Sequence, residues 1–220
     1  MTQFIELCHI IEDGMLTYTG LPGPIISDHM SREASRGHYA PQTTFQIGKI
    51  EMVANTGTYI DAPFHRYESG SDLSELEIAA VANLDGLVFQ VSTDARAIGP
   101  ETFNGRDVKD KAVLIHTGWS RHWGTDRYFD DHPHLTRESA ECLKSAGAVL
   151  VGIDSLNIDD NTDGTRPAHT ILLGANILIV EHLCNLGALP ESGFKFFAVP
   201  APVKGMGSFP VRAFAIINPP

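Results

Sequence analysis

The chain has 220 residues, 43% of them hydrophobic and 20% charged, which is the composition of a globular protein and excludes a disordered or fibrous one. That length suits one domain over residues 1–220. Twenty-seven acidic residues against 16 basic ones give a formal charge of −11, and the Lys and Arg residues are scattered, so neither nucleic acid nor a membrane surface is an expected partner.

The three cysteines, Cys8, Cys142 and Cys184, form no C-x-x-C pair and give no disulfide framework. They read as reduced thiols in a cytoplasmic compartment. Met1 to Glu12 carries Glu6, His9 and Glu12 without a basic stretch, unlike a signal peptide. Apolar runs fall far short of the ~20 residues that span a bilayer.

In chain order, Gly20-Leu21-Pro22-Gly23-Pro24 reads as a loop, because its prolines lack backbone donors. Ser31 to Gly37 is polar and reads as a surface loop or short helix. Thr43 to Ala54 alternates imperfectly as a strand, with a bend or bulge at Gly48. Gly86 to Ser92 and Ala112 to His116 are short strands rich in branched or aromatic residues. Thr136 to Gly147 is the clearest helix, with Thr136 as N-cap, Glu138 near the positive end and Gly147 as terminator. Ala148 to Ile153 follows as a buried strand, and Asn176 to Leu183 as another buried segment interrupted by Glu181. Phe194 to Val199 and Pro210 to Ile217 close the chain as strands. Many strands and few helices indicate an α/β or α+β protein with a mostly β core.

The segment Asn55-Thr56-Gly57-Thr58-Tyr59-Ile60-Asp61-Ala62-Pro63-Phe64-His65 carries the densest chemistry. In an extended backbone Tyr59 and Asp61 project to one side. Asp61 either offers a carboxylate oxygen to a metal or caps a turn. His65, four residues on and past a proline, either turns back over the same pocket or bonds a backbone carbonyl. Further along, His169 follows Arg166-Pro167-Ala168, and Glu181 interrupts I-L-I-V-E-H-L. An unpaired carboxylate in such a run is costly to bury, so Glu181 needs a cation, a donor or a proton; Arg212 is the bland partner. Lone histidines such as His38, His122 and His132 read as surface or core residues. Asp154, Asp159, Asp160 and Asp163 read as a solvated or turn-capping loop cluster. The motifs of P-loop, dinucleotide-binding, serine-hydrolase and H-E-x-x-H zinc proteins are missing from the sequence.

At these residues the sequence resembles the cyclase family of metal-dependent hydrolases, which includes kynurenine formamidase (arylformamidase) and isatin hydrolase. The family signature is H-x-G-T-H-x-D-x-P-x-H, and N-T-G-T-Y-I-D-A-P-F-H matches it at Gly57, Thr58, Asp61, Pro63 and His65. Asn55 and Tyr59 stand where the signature has histidines. The resemblance runs the length of the chain, through V-G-I-D at Val151 to Asp154 and G-S-F-P-V-R-A at Gly207 to Ala213. It implies a swivelling β/β/α fold, a homodimer or homotetramer, and hydrolysis of an amide, formamide or lactam through a metal-activated water, as in tryptophan catabolism. It places Asp61, His169 and Glu181 as metal ligands and His65 as a ligand or the general base. Asn and Tyr are poorer zinc ligands than imidazole, so one divalent ion, Zn or Mn, is expected rather than two. Tyr59 is expected to donate to the oxyanion, and Asn55, Tyr18, Phe64 and Trp119 to face a small aromatic substrate. Two other readings keep the fold: a metal-free binding or regulatory protein, suggested by Asn55 and Tyr59, and a lyase or lactone hydrolase at the same site.

Overall fold

The apolar runs near residues 112–116, 148–153 and 178–181 form the buried middle of a nine-stranded mixed sheet. The computed structural model describes residues 1–92 and 94–217. Its strands are β1 (Gln3–Glu6), β2 (Ile25–Met30), β3 (Ile47–Glu51), β4 (Tyr59–Asp61), β5 (Leu84–Gln90), β6 (Ala97–Ile98), β7 (Ala112–His116), β8 (His134–Leu135), β9 (Leu150–Ile153), β10 (Leu178–Glu181), β11 (Phe194–Phe197), β12 (Ser208–Pro210) and β13 (Phe214–Ile217). The helices are α1 (Arg137–Ser145) and α2 (Pro167–Gly174). The large sheet runs β1-β13-β11-β5-β7-β9-β10-β4-β12. β5, β7, β9 and β10 are parallel to one another, and antiparallel strands flank them on both sides.

Both faces of the parallel block are covered, which is why its strands read as apolar runs instead of alternating. Val113, Ile115, Val151, Ile153 and Ile179 pack with Ala140 and Leu143 of α1 and Ile171 and Leu172 of α2. The alternate residues Ala112, Leu114, Leu150, Leu178 and Val180 pack on the other face with Leu7, Ile60, Phe196 and Ala213. Truncating one of these fully buried side chains, for example Leu114→Ala, costs about 2–5 kcal/mol.

The second face is the inside of a roll. β12 and β13 lie at the ninth and second positions of the sheet. Seven strand spacings in a flat sheet span ~34 Å, yet four residues of chain from Pro210 to Phe214 reach at most ~14 Å. The sheet must therefore curl until its flanks meet. Val211 N donates to Thr58 O and Leu7 N to Ala213 O, each at 2.9 Å, closing the seam.

The single strand expected over Pro210 to Ile217 is thus two strands on opposite flanks. Pro210, which has no N–H, sits on the edge strand β12, where none is needed. The helix expected at Thr136 to Gly147 forms as Arg137–Ser145; the Thr136 side chain accepts from Ser139 N, and Gly147 leaves at φ +80°. α2 was not legible as a helix, although Pro167 at its first turn is a common start signal. β3 is shorter than the strand expected there, and its partner β2 lies just after the Gly20–Pro24 loop. These two form a separate exposed ribbon, with Ile26 opposite Ile50.

Candidate metal centre

The site lies where β4 joins β10. Their register sets Asp61 opposite Ile179 and Tyr59 opposite Glu181. Ile60 points into the roll, so Tyr59 and Asp61 face the other way, toward α2. β12 adds Ser208 opposite Asp61. Gly57, at φ +64°, makes the bend before β4. Pro63–His65 is a single 3-10 turn that brings His65 back beside Asp61.

Atoms of Asp61, His65 and His169 lie within 4.8 Å of one another. His169 Nε2 is 3.6 Å from Asp61 Oδ2 and 3.8 Å from Glu181 Oε1. His65 Nδ1 is 3.5 Å from Asp61 Oδ1. Asp61 and Glu181 are fully buried and His169 nearly so, whereas 34% of the His65 side chain is exposed.

The position of His169 follows from Asp159. One oxygen of Asp159 takes Ala168 N at 2.6 Å, the other takes His169 N at 3.0 Å and His169 Nδ1 at 2.6 Å. This carboxylate satisfies the first turn of α2 and fixes the ring tautomer, because an acceptor-only carboxylate requires the proton on Nδ1. The Nε2 lone pair of a neutral His169 therefore faces Asp61 and Glu181.

A similar argument sets His65. Ser208 Oγ donates to Asp61 Oδ1 and lies 2.9 Å from His65 Nδ1. The single hydroxyl proton is committed to the carboxylate, so Nδ1 must donate and Nε2 of neutral His65 is left basic. Glu181 accepts from Tyr59 Oη at 2.6 Å, Asn157 Nδ2 at 3.4 Å and Ile158 N at 2.7 Å.

Burial opposes ionisation of Asp61, but His169, the His65 charge and Ser208 outweigh it and hold its carboxyl below the usual range. Burial, assisted by the nearby Asp61 charge, pushes Glu181 up. Burial would depress His169, yet Asp159, Asp61 and Glu181 together raise it to about 10. Burial, then the Glu181 and Asp61 charges, keep Tyr59 well above its ordinary value and protonated.

The donor set fits a divalent ion. Asp61 Oδ2 is buried without a hydrogen-bond partner, and an unmatched buried carboxylate oxygen is costly. Two ligands each ~2.1 Å from a tetrahedral ion stand ~3.4 Å apart, close to the 3.6 and 3.8 Å found here. The Asp159–His169 pair is the carboxylate support common behind metal-binding imidazoles.

The sequence-derived set Asp61, His65, His169, Glu181 and Tyr59 is brought together. Asn55 is half-buried and lies against the Tyr59 phenol. Tyr18 donates to Asn161 at 2.6 Å, and burial, then the Glu181 charge, raise its phenol above the usual value. Phe64 is half-buried in the turn that carries His65. Trp119 departs from its expected substrate-facing position. It is 1% exposed, donates to Tyr128 O and backs Tyr18 from the core. Tyr59 also departs from its expected role, because its proton already serves Glu181. Arg212 pairs with Glu6, not Glu181.

Of the acidic loop, Asp160 and Asp163 cap turns at Thr162 and Thr165 as expected, but Asp154 and Asp159 are fully buried. Asp159, Ser208 and Asn157 were missed. Asp159 showed only as one of the acidic loop residues and Ser208 only within the Gly207–Ala213 match, neither with a role.

A rolled mixed sheet with a buried carboxylate–imidazole cluster beside its parallel block defines an α/β protein with a candidate divalent-metal site. The chain belongs to the Cyclase family, whose profile matches residues 5–160. It is 30% identical over 174 residues to kynurenine formamidase of Bacillus cytotoxicus, covering 79% of this chain and 80% of that one. It is 29% identical over 219 residues to kynurenine formamidase of Bacillus mycoides, covering 99% and 98%. Its fold matches isatin hydrolase A from Labrenzia aggregata bound to benzyl benzoate, with a TM-score of 0.84 at 22% identity over 99% of this chain and 94% of that one.

Proposed function

We propose that the protein is a metal-dependent hydrolase of the C–N bond in a small aromatic amide, formamide or lactam. The observation that carries this reading is Asp61 Oδ2, buried without a hydrogen bond and facing His169 Nε2 at 3.6 Å. The kynurenine formamidase relatives and the isatin hydrolase neighbour support the bond class. Asp61, His169 and Glu181 would hold Zn²⁺ or Mn²⁺, both compatible with a mixed oxygen and imidazole set. A bound divalent ion supplies Lewis-acid polarisation of a carbonyl and a water that ionises near neutral pH.

His65 supplies the proton traffic. Its Nδ1 is anchored on Ser208, which leaves Nε2 of the neutral ring with a free lone pair at the most exposed position in the cluster. It takes a proton from the attacking water and returns it to the leaving nitrogen, a role worth about 10²–10⁴-fold. Tyr18 and Asn55 orient the substrate, and Phe64 adds an apolar wall. Assembly as a homodimer or homotetramer belongs to the same proposal, supported by Ile25, Ile26, Ile47 and Ile50, which are 45–57% exposed on the β2–β3 ribbon. A cytoplasmic location accords with its free cysteines.

The test is to measure divalent metal per chain after purification without chelator, and to assay N-formylkynurenine followed by a panel of anilides and lactams. The expected result is turnover that chelation abolishes and Zn²⁺ or Mn²⁺ restores. Full turnover by metal-free chain would overturn the reading.

A further inference from the structure

Glu181 enters the site with most of its acceptor capacity already used. Tyr59 Oη and Asn157 Nδ2 both donate to Oε2, at 2.6 and 3.4 Å, and Ile158 N donates to Oε1 at 2.7 Å. A carboxylate has about four lone-pair positions, so one remains, on Oε1, the oxygen 3.8 Å from His169 Nε2. The phenol that uses Oε2 is locked by the fold. Tyr59 sits directly across from Glu181 in the β4–β10 register, is 2% exposed, and has its ring wedged beside His182 at 5.2 Å between centroids. The Asn55 side chain also lies beside the phenol.

We infer that Tyr59 is a positioning residue that makes Glu181 a one-oxygen ligand and limits the centre to a single ion. Asp61 Oδ2, His169 Nε2 and Glu181 Oε1 serve that ion. A second ion would need the other Glu181 oxygen, Oε2, which the Tyr59 phenol already engages at 2.6 Å. The inference rests on the metal centre of the proposed function and adds a structural cause for the single ion expected there.

The test uses the full chain as wild type, Tyr59→Phe and Tyr59→His, each confirmed as folded by a cooperative thermal transition. Each is dialysed against excess MnCl₂ or ZnCl₂ and analysed for metal per chain, with Mn²⁺ affinity and environment read by electron paramagnetic resonance. Wild type should saturate at one ion, with the spectrum of an isolated Mn²⁺. Tyr59→Phe keeps the ring and loses the donor, so it should still hold one ion with affinity about 10–100-fold weaker, the usual effect of removing a ligand's support. Tyr59→His puts a nitrogen beside Oε2 and should admit a second ion with an exchange-coupled signal.

Two ions in wild type would overturn this inference and leave the hydrolase reading standing; no ion in wild type would overturn both. Unchanged affinity in Tyr59→Phe, or a folded Tyr59→His that still takes one ion, would also overturn it. If Tyr59→His does not fold, wild-type stoichiometry and Tyr59→Phe affinity decide the matter.

Discussion

Asp61 and Asp154 are both fully buried and both have a histidine nearby, yet their oxygens meet different surroundings. Asp154, just past β9, accepts from Thr117 N at 2.8 Å, Thr117 Oγ1 at 2.6 Å and Gly118 N at 2.9 Å. Both of its oxygens are satisfied, and His116 Nε2 stays 3.9 Å away. It pins the turn in which Gly118 takes φ +71°. Asp61 has Ser208 on one oxygen, and on the other no hydrogen bond, only the His169 ring at 3.6 Å. Burial and a neighbouring imidazole are common to both, so neither property marks a metal ligand. What separates the two is that Asp61 Oδ2 has no hydrogen-bond donor and faces the His169 ring at 3.6 Å.

Breaking the two aspartates should separate their roles. Asp61→Ala or His169→Ala removes a metal ligand, and we expect undetectable metal by elemental analysis. The accompanying drop in kcat/KM should be at least about 10³-fold, since Lewis-acid stabilisation is worth several kcal/mol. Asp154→Ala should do the reverse. It strands the Thr117 and Gly118 N–H groups and should lower stability in urea by about 3 kcal/mol, with metal affinity per folded chain unchanged. Loss of metal in Asp154→Ala with stability intact would erase the distinction.

A finer test is Asp159→Asn, which leaves every ligand in place and weakens the support behind His169. Metal affinity should fall about 10–100-fold, read by competition with a chromogenic chelator.

Acid and base should divide the two neighbourhoods in the metal-free chain. Burial depresses His9 to about 4 and His182 to about 3, so both fold neutral and the unfolded chain binds more protons below about pH 6.5. Their contribution is present above pH 6.5 and is lost as pH falls toward those values. Between pH 7.5 and 5.5 the loss should be about 1 kcal/mol each, and His9→Gln should reduce it. His169, raised to about 10, acts with the opposite sign. Its contribution is complete below pH 6.5 and fades as pH climbs through 10. Urea midpoints across pH, with and without His9, check both slopes.

The parts of the site legible in the sequence were those within a few residues of one another. Alternation puts Tyr59 and Asp61 on one side, Pro63 turns the chain toward His65, and a carboxylate inside I-L-I-V-E-H-L requires a partner. The donors that decide what those residues do come from far away. Ser208 is 147 residues from Asp61 and Tyr59 is 122 from Glu181, and no local pattern encodes such pairings. The same holds for the fold. The strands of the parallel block showed as apolar runs, but separation of β12 from β13 depends on the curl of the whole sheet. Asp159 looked like its solvated neighbours because loop composition does not reveal which carboxylate turns inward.

The seam where β1 meets β13 has a consequence for biosynthesis. Gln3 pairs with Ile217 and Glu6 with Phe214, so β1 waits for β13, which is made more than 200 residues later. At roughly 5–20 residues per second that wait lasts at least ~10 s, with Phe4 and Ile5 exposed on an open edge meanwhile. The seam closes only once residue 217 is available. Nascent chains stalled short of residue 214 should be the species that chaperones hold and proteases clear.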